Sequence, residues 1–221
     1  MLSIESLHVT IESVQALRGF SLAVEDGSLV GVVGRNGAGK TTLLRTIMGH
    51  LKPVSGSVKW NGKDLADVPR HRRAALGIGY MPEDRGLVPE LTVEENILVP
   101  VWASKDLKEQ ERLGLVYDVL PELREMRERK ALLLSGGQQK LVALARALAV
   151  GTRLLLLDEP FEGVAPVLSQ RLSEVIFGLR GKDLSVVIAQ SELNRAASML
   201  DHEVVIERGA NAGDPGRDLA H

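Results

Sequence analysis

The stretch Leu29-Val30-Gly31-Val32-Val33-Gly34 constrains this chain more than any other, because the apolar run passes at once into Arg35-Asn36-Gly37-Ala38-Gly39-Lys40-Thr41. A continuous apolar run suits a strand covered on both faces of a parallel sheet. Gly34 to Thr41 fits G-x-x-x-x-G-K-[ST], a loop whose glycines let the backbone turn tightly and aim successive N–H groups at a phosphate. Beyond it Leu43, Leu44, Ile47 and Met48 fall on one stripe of a helix. The start of that helix presents the positive end of its dipole to the same anion. A glycine-rich turn with an incidental lysine does not account for a buried strand before the loop and a helix after it. The candidate phosphate-binding residues are Gly34, Arg35, Asn36, Gly37, Ala38, Gly39, Lys40, Thr41 and Thr42. Lys40 is placed to reach the β- and γ-phosphates, and Thr41 to ligate Mg²⁺.

A second constraint is Leu154-Leu155-Leu156-Leu157-Asp158-Glu159, an apolar strand ending in two carboxylates. Ligands of open α/β sheets bind at the carboxyl ends of strands. Asp158 is therefore expected beside the metal at Thr41, and Glu159 beside a water aimed at the γ-phosphate. Neighbouring residues at a strand end point to opposite faces, so the two need not share one role.

The remaining pattern gives the organisation. Leu2 and Ile4 share a face with Ser6, and Leu7 and Val9 continue with the phase shifted; Ser21–Val24 follows. These read as short antiparallel strands. Further strands are expected near Val58–Trp60, Ile78–Met81, Val186–Ala189 and Val204–Ile206, alternating with helical stretches as in a parallel α/β sheet. Residues 90–150 are helical and charge-rich, with a capping box at Thr92-Val93-Glu94-Glu95 and a helix across Lys105–Leu120 stopped by Pro121. The expected fold is an α/β P-loop core with a parallel sheet, an antiparallel β subdomain and an inserted α-helical subdomain. One domain spans 1–221: core and β subdomain at 1–82 and 151–208, helical lobe at 83–150, and a loosely ordered tail at 209–221 without a final strand.

Leu134-Ser135-Gly136-Gly137-Gln138-Gln139 precedes an amphipathic helix carrying Leu141, Leu144, Ala145 and Leu148. Ser135 can cap that helix with Gln138 reaching back, and the exposed N–H groups form a second anion site. One nucleotide has no use for two cradles on one chain. A dimer does, with each ATP held by the loop of one subunit and Ser135, Gly136, Gly137 and Gln138 of the other.

GRNGAGKT, then LSGGQQ, then LLLLDEP resembles, over essentially the whole chain, the ATP-binding subunit of ABC transporters. The resemblance implies further positions. Glu83, in Tyr80-Met81-Pro82-Glu83-Asp84-Arg85, stands where the family normally has a Mg²⁺-touching Gln, and Gln190 stands where it has a switch histidine. Ile11 stands where an aromatic residue normally stacks on adenine. Pro-Glu in the sensing loop, Gly163-Val164-Ala165-Pro166 and Gln190 are together similar to the smaller ATPase of branched-chain amino acid uptake systems and their relatives for urea, amides or small carboxylates. The resemblance implies ATP and Mg²⁺ as cofactors, Glu159, Gln190 and Lys40 as catalytic residues, and Thr41, Asp158 and Glu83 as metal ligands. It also implies membrane-spanning permease subunits as partners, and pairing with a second ATPase, with a homodimer as the alternative. The place of work is the cytoplasmic face of the inner membrane, as a peripheral protein.

Composition enters as exclusion. A formal net charge of −2 argues against a nucleic-acid partner, and the absence of cysteine removes disulfides and thiolate sites. Neither a signal peptide nor an apolar run near the ~20 residues of a membrane span is visible. Two rival functions are a nucleotide-gated binding module with weak hydrolysis, and a soluble ABC ATPase outside transport. Arg70-His71-Arg72-Arg73 reads as a solvated helix start, with phosphate or lipid binding the alternative. Leu87, Val88 and Leu91 read either as a groove for a short permease helix or as core.

Overall fold

Two sheets divide the strands by their hydrophobic pattern. The computed structural model describes residues 1–181, 183–192 and 200–212. Within them, β1 (Leu2–Ile11), β2 (Val14–Val24), β4 (Ser55–Trp60) and β5 (Lys63–Asp64) form an antiparallel sheet in the order β2-β1-β4-β5. The second sheet runs β10-β9-β3-β8-β7-β6, from β3 (Leu29–Val33), β6 (Ile78–Met81), β7 (Leu154–Asp158), β8 (Ser185–Gln190), β9 (His202–Glu207) and β10 (Ala210–Asn211). All its neighbours are parallel except the β9–β10 pair. The helices are α1 (Lys40–Ile47), α2 (Val93–Trp102), α3 (Glu109–Val119), α4 (Glu122–Glu125), α5 (Gly136–Val150) and α6 (Pro166–Phe177).

The period-2 alternation of the parallel strands assigns their side chains to two cores. Val30, Val32, Leu154, Leu156, Val187 and Ala189 join Leu43, Leu44 and Ile47 of α1 and the inner face of the antiparallel sheet. Leu29, Leu155, Leu157, Val186 and Ile188 pack instead with α5 and α6, and this second core continues into α2 and α3. Covering both faces is why these strands read as unbroken apolar runs. Helix α5 packs on α2 and α3 and also on β6 and β7, so it belongs to the lobe and to the core at once.

Several expectations need correction. The first two strands are ten and eleven residues long, not short. The phase shift in β1 is a bulge: the register slips between Ile4 and Leu7, and Ser6 takes a positive φ of 45°. The helix expected from Lys105 begins at Glu109. A final strand does follow Gly209: Arg208 and Gly209 turn through positive φ, and Ala210 pairs with Glu207. That strand is fixed by contacts remote in sequence, with Asn211 bonded to the backbone of Ser21 in both directions. The rest of the expected loose tail, 213–221, and a helical stretch before β9 at 193–199 lie outside the described residues.

The basic cluster is a 3₁₀ turn at Arg70–Arg72, not an α-helix start. Arg70, His71 and Arg72 are exposed, whereas Arg73 is buried. Its guanidinium donates to the carbonyls of Thr46 (3.0 Å), Ile47, Leu65 (2.7 Å) and Val68 (3.3 Å). A cation at the end of α1 meets carbonyls that the helix itself leaves free. Among the described residues no helix is long and apolar enough to cross a membrane.

Candidate active site

Strand order along one edge of the parallel sheet assembles the site. The carboxyl ends of β3, β8, β7 and β6 lie side by side, because those strands are successive neighbours. The chain leaves them at the glycine loop, Ser191, Glu159 and Pro82-Glu83 respectively. A cavity of about 450 Å³ opens there, lined by Asn36, Gly37, Lys40, Thr41, Glu83 and Glu159 among others.

The loop fits a phosphate chain. Helix α1 starts at Gly39, φ 112°, with no side-chain cap, so the free N–H groups of its first turn remain for a ligand. A Cβ on Gly34 would lie 2.3 Å from the Ile206 carbonyl oxygen, so β9 presses directly against the loop. Gly37, φ 81°, has open space around it and needs glycine for its backbone angle alone. Lys40 is 5% exposed. Its ammonium donates to the carbonyls of Gly34 (2.5 Å) and Arg35 (3.2 Å), and lies 3.1 Å from Glu159 Oε1.

The two carboxylates at the end of β7 separate as strand parity requires. Asp158, fully buried, accepts from the Thr41 hydroxyl (3.2 Å) and from the Tyr80 hydroxyl (3.4 Å). Burial raises its pKa to about 6, with the negative charges of Glu83 and Glu159 adding and the Thr41 hydrogen bond opposing. The Tyr80 hydroxyl is pushed above its ordinary value by burial and by Asp158. Thr41, Asp158 and Glu83 offer hard oxygen donors of the kind Mg²⁺ takes beside substrate phosphates. Glu159 turns away from Asp158, at a positive φ of 46°, toward Lys40 and Ser191.

Other expected residues lie apart from this cavity. Gln190 ends β8 with its side-chain oxygen buried and, among the described residues, without a hydrogen-bond partner. Ile11 is 39% exposed at the end of β1, and Ala16 is the residue of that hairpin which reaches the cavity wall. Ser135 caps α5 in a full capping box with Gln138. Ser135, Gly136, Gly137 and Gln138 do not line the cavity of their own chain.

Three residues escaped the sequence reading. Ser191 donates its backbone N–H to Glu159 Oε2 (3.1 Å), and its hydroxyl touches Glu159 Oε1, Lys40 (3.3 Å) and Asn36 (2.6 Å). Lys140, 3% exposed on α5, donates to the backbone carbonyls of Glu159 (2.8 Å) and Glu162, and burial together with Arg85 lowers its pKa. Tyr80 is the third, through Asp158. The one available signal was a lysine inside the apolar stripe of α5; nothing local marks Ser191.

A larger cavity of about 850 Å³, which Asp158 also lines, adjoins the first across Thr41 and Glu83. Its outer wall carries Arg45, His50, Asp84, Pro100 and Arg146. Leu87, Val88 and Leu91 do not line it; Leu87 packs into the core shared with α5. Arg146 donates to the carbonyls of Gly86 and Arg85 (2.6 Å for the latter), and Arg85 donates to Gln139 (2.8 Å). The loop after β6 is thereby fastened to α5.

Comparison with known proteins agrees with this geometry. Residues 17–162 match the family described as ABC transporter. The high-affinity branched-chain amino acid transport ATP-binding protein BraG of Pseudomonas aeruginosa is 35% identical over 209 residues, covering 95% of this chain and 90% of that protein. The lipopolysaccharide export system ATP-binding protein LptB of Haemophilus influenzae is 32% identical over 211 residues, covering 95% and 88%. The ADP conformation of MJ1267, an ATP-binding cassette of an ABC transporter, superposes with a TM-score of 0.80 at 30% identity, covering 96% and 89%.

Proposed function

Because this chain belongs to the ABC transporter family, as one of its ATPase subunits, we propose that it hydrolyses MgATP at the glycine loop, in a dimer that drives a membrane permease. The observation that carries the reading is the 3.1 Å approach of Lys40 to Glu159 in the cavity that Thr41 also lines. A phosphate-binding cation and a carboxylate able to aim water at the last phosphorus thus share one space.

In this reading Lys40 and the N–H groups of 36–42 hold the phosphates. Thr41, Asp158 and Glu83 supply oxygens to Mg²⁺, which when bound offsets the charge developing between the outer phosphates. Glu159 orients the attacking water. Gln190 reaches the γ-phosphate with its amide N–H or that water with its side-chain oxygen, which has no partner among the described residues, and it does so without titrating near neutral pH. Ile11 gives apolar contact to the base. Ser135, Gly136, Gly137 and Gln138 close the site of a facing subunit, which accounts for a capped, exposed helix start that does not line the phosphate cavity of its own chain. The 850 Å³ cavity, fastened to α5 through Arg146, receives a cytoplasmic segment of the permease. The protein then sits at the cytoplasmic face of the membrane, paired with a second, different ATPase. For the solute we favour branched-chain amino acids or related small polar molecules, on the likeness to BraG; the comparable likeness to LptB makes lipopolysaccharide export the second reading.

Phosphate release by the chain purified together with its partner ATPase, with MgATP, tests the core of this. Turnover should fall roughly 100-fold or more in Glu159→Gln, and Lys40→Ala should weaken ATP binding. Release by the wild type no faster than by Glu159→Gln would overturn the proposal. Proteoliposomes holding the permease would separate the solutes: ATP-driven leucine uptake supports import, and its absence alongside lipopolysaccharide extraction supports export.

A further inference from the structure

We infer that Ser191 is a positioning residue for hydrolysis: it holds the Glu159 carboxylate in place when the phosphates draw Lys40 away. The inference rests on the function proposed above. The ammonium of Lys40 has four partners among the described residues: the carbonyls of Gly34 and Arg35, the Ser191 hydroxyl and Glu159. A phosphate chain in the loop competes for that ammonium, and Glu159 then loses Lys40 as its ion-pair partner. The carboxylate is 4% exposed at its side chain, so solvent cannot substitute freely. An unheld carboxylate would swing, and that would spoil its aim at water.

Ser191 supplies what remains. Its backbone N–H donates to one carboxylate oxygen at 3.1 Å, and its hydroxyl lies against the other. The two donors grip both oxygens, which fixes the plane of the carboxylate as well as its position. The hydroxyl also lies 2.6 Å from Asn36 Oδ1 in the glycine loop. Its single proton serves one acceptor at a time, so the hydroxyl senses whether the loop or the carboxylate claims it. Placement follows from topology. Strand β8 lies between β3 and β7, so the residue leaving β8 falls between the lysine loop and Glu159. Ser191 lies outside the cavity lining, which separates it from a phosphate-binding role.

The test uses the full chain, with phosphate release under saturating MgATP and the Kd of a fluorescent ATP analogue measured in parallel. Ser191→Ala keeps the backbone N–H and loses the hydroxyl. Its kcat should fall roughly tenfold, the cost of one hydrogen bond to a charged group, while Kd changes less than about twofold. Ser191→Thr, which restores the hydroxyl, should recover most of the rate. In a Glu159→Gln background the same Ser191→Ala change should cost nothing further, because its effect passes through the carboxylate. Wild-type kcat in Ser191→Ala overturns the inference. So does a loss of nucleotide affinity, or an equal further loss on top of Glu159→Gln. The wild-type against Glu159→Gln comparison reports separately on the function itself: turnover there with an indifferent Ser191→Ala leaves hydrolysis standing and removes Ser191 from it.

Discussion

Replacing Arg73 by methionine should destabilise the nucleotide-free protein by about 3 kcal/mol, a magnitude that follows from its four contacts. The guanidinium bonds the carbonyls of Thr46, Ile47, Leu65 and Val68. Two of these keep another donor after the change: Gly49 N–H for Thr46 (3.0 Å) and Val68 N–H for Leu65 (3.1 Å). The carbonyls of Ile47 and Val68 lose their donor in a buried setting, at about 1–3 kcal/mol each. Loss of a cation at the end of α1 adds up to about 1 kcal/mol. Methionine returns part of this, since its side chain carries no charge to desolvate, and burial already holds the arginine pKa below its ordinary value. For a domain of this size 1 kcal/mol moves Tm by about 2–4 °C, so a fall of about 6–12 °C is expected by differential scanning fluorimetry. Arg73→Lys keeps the charge but cannot fork across two carbonyl pairs, and should fall about half as far. Well below the transition, phosphate release by Arg73→Met should match the wild type within about twofold, because Arg73 lines neither of the two adjoining cavities at the strand ends. A Tm within about 2 °C of the wild type would refute the capping role and reopen the reading of this cluster as an anion site.

Asp158 gives the protein a pH signature. Its native pKa of about 6 lies above the ordinary 3.8, so the native state binds the extra proton between those values. This group therefore costs stability above pH 6, by up to about 3 kcal/mol, and the cost is relieved as the pH falls toward 4. Without nucleotide and in EDTA, Asp158→Asn should melt above the wild type at pH 7–8, with the gap closing toward pH 4; a gap independent of pH contradicts the assignment. Gly34→Ala forces a Cβ to within 2.3 Å of a backbone oxygen, and should cost about 1–3 kcal/mol together with ATP binding. Gly37→Ala, in open space at φ 81°, should cost about 1 kcal/mol. Chemical denaturation distinguishes them, and equal losses would mean that contact with β9 is not what Gly34 serves.

The sequence alone carried what depends on local pattern. The apolar run Leu29–Val33, the glycines after it and the stripe on α1 specify a strand–loop–helix unit through backbone angles and side-chain periodicity, both properties of adjacent residues. The same holds for the capping boxes at Thr92 and Ser135, which need only residues three apart. The carboxylate pair at the end of β7 was legible because strand parity separates neighbours. What the tertiary structure decided is which strand ends meet. The order β3-β8-β7-β6 is not the order of the chain, and it alone puts Ser191 between Lys40 and Glu159. Arg73 read as part of a solvated cluster and Lys140 carried no reading until α1 was laid against the turn at 65–73 and α5 against the loop after β7. Gly34 reads from the motif as a phosphate contact, yet in the fold it is first a gap left for β9. Contacts of this kind join residues far apart in sequence, and no local periodicity records them.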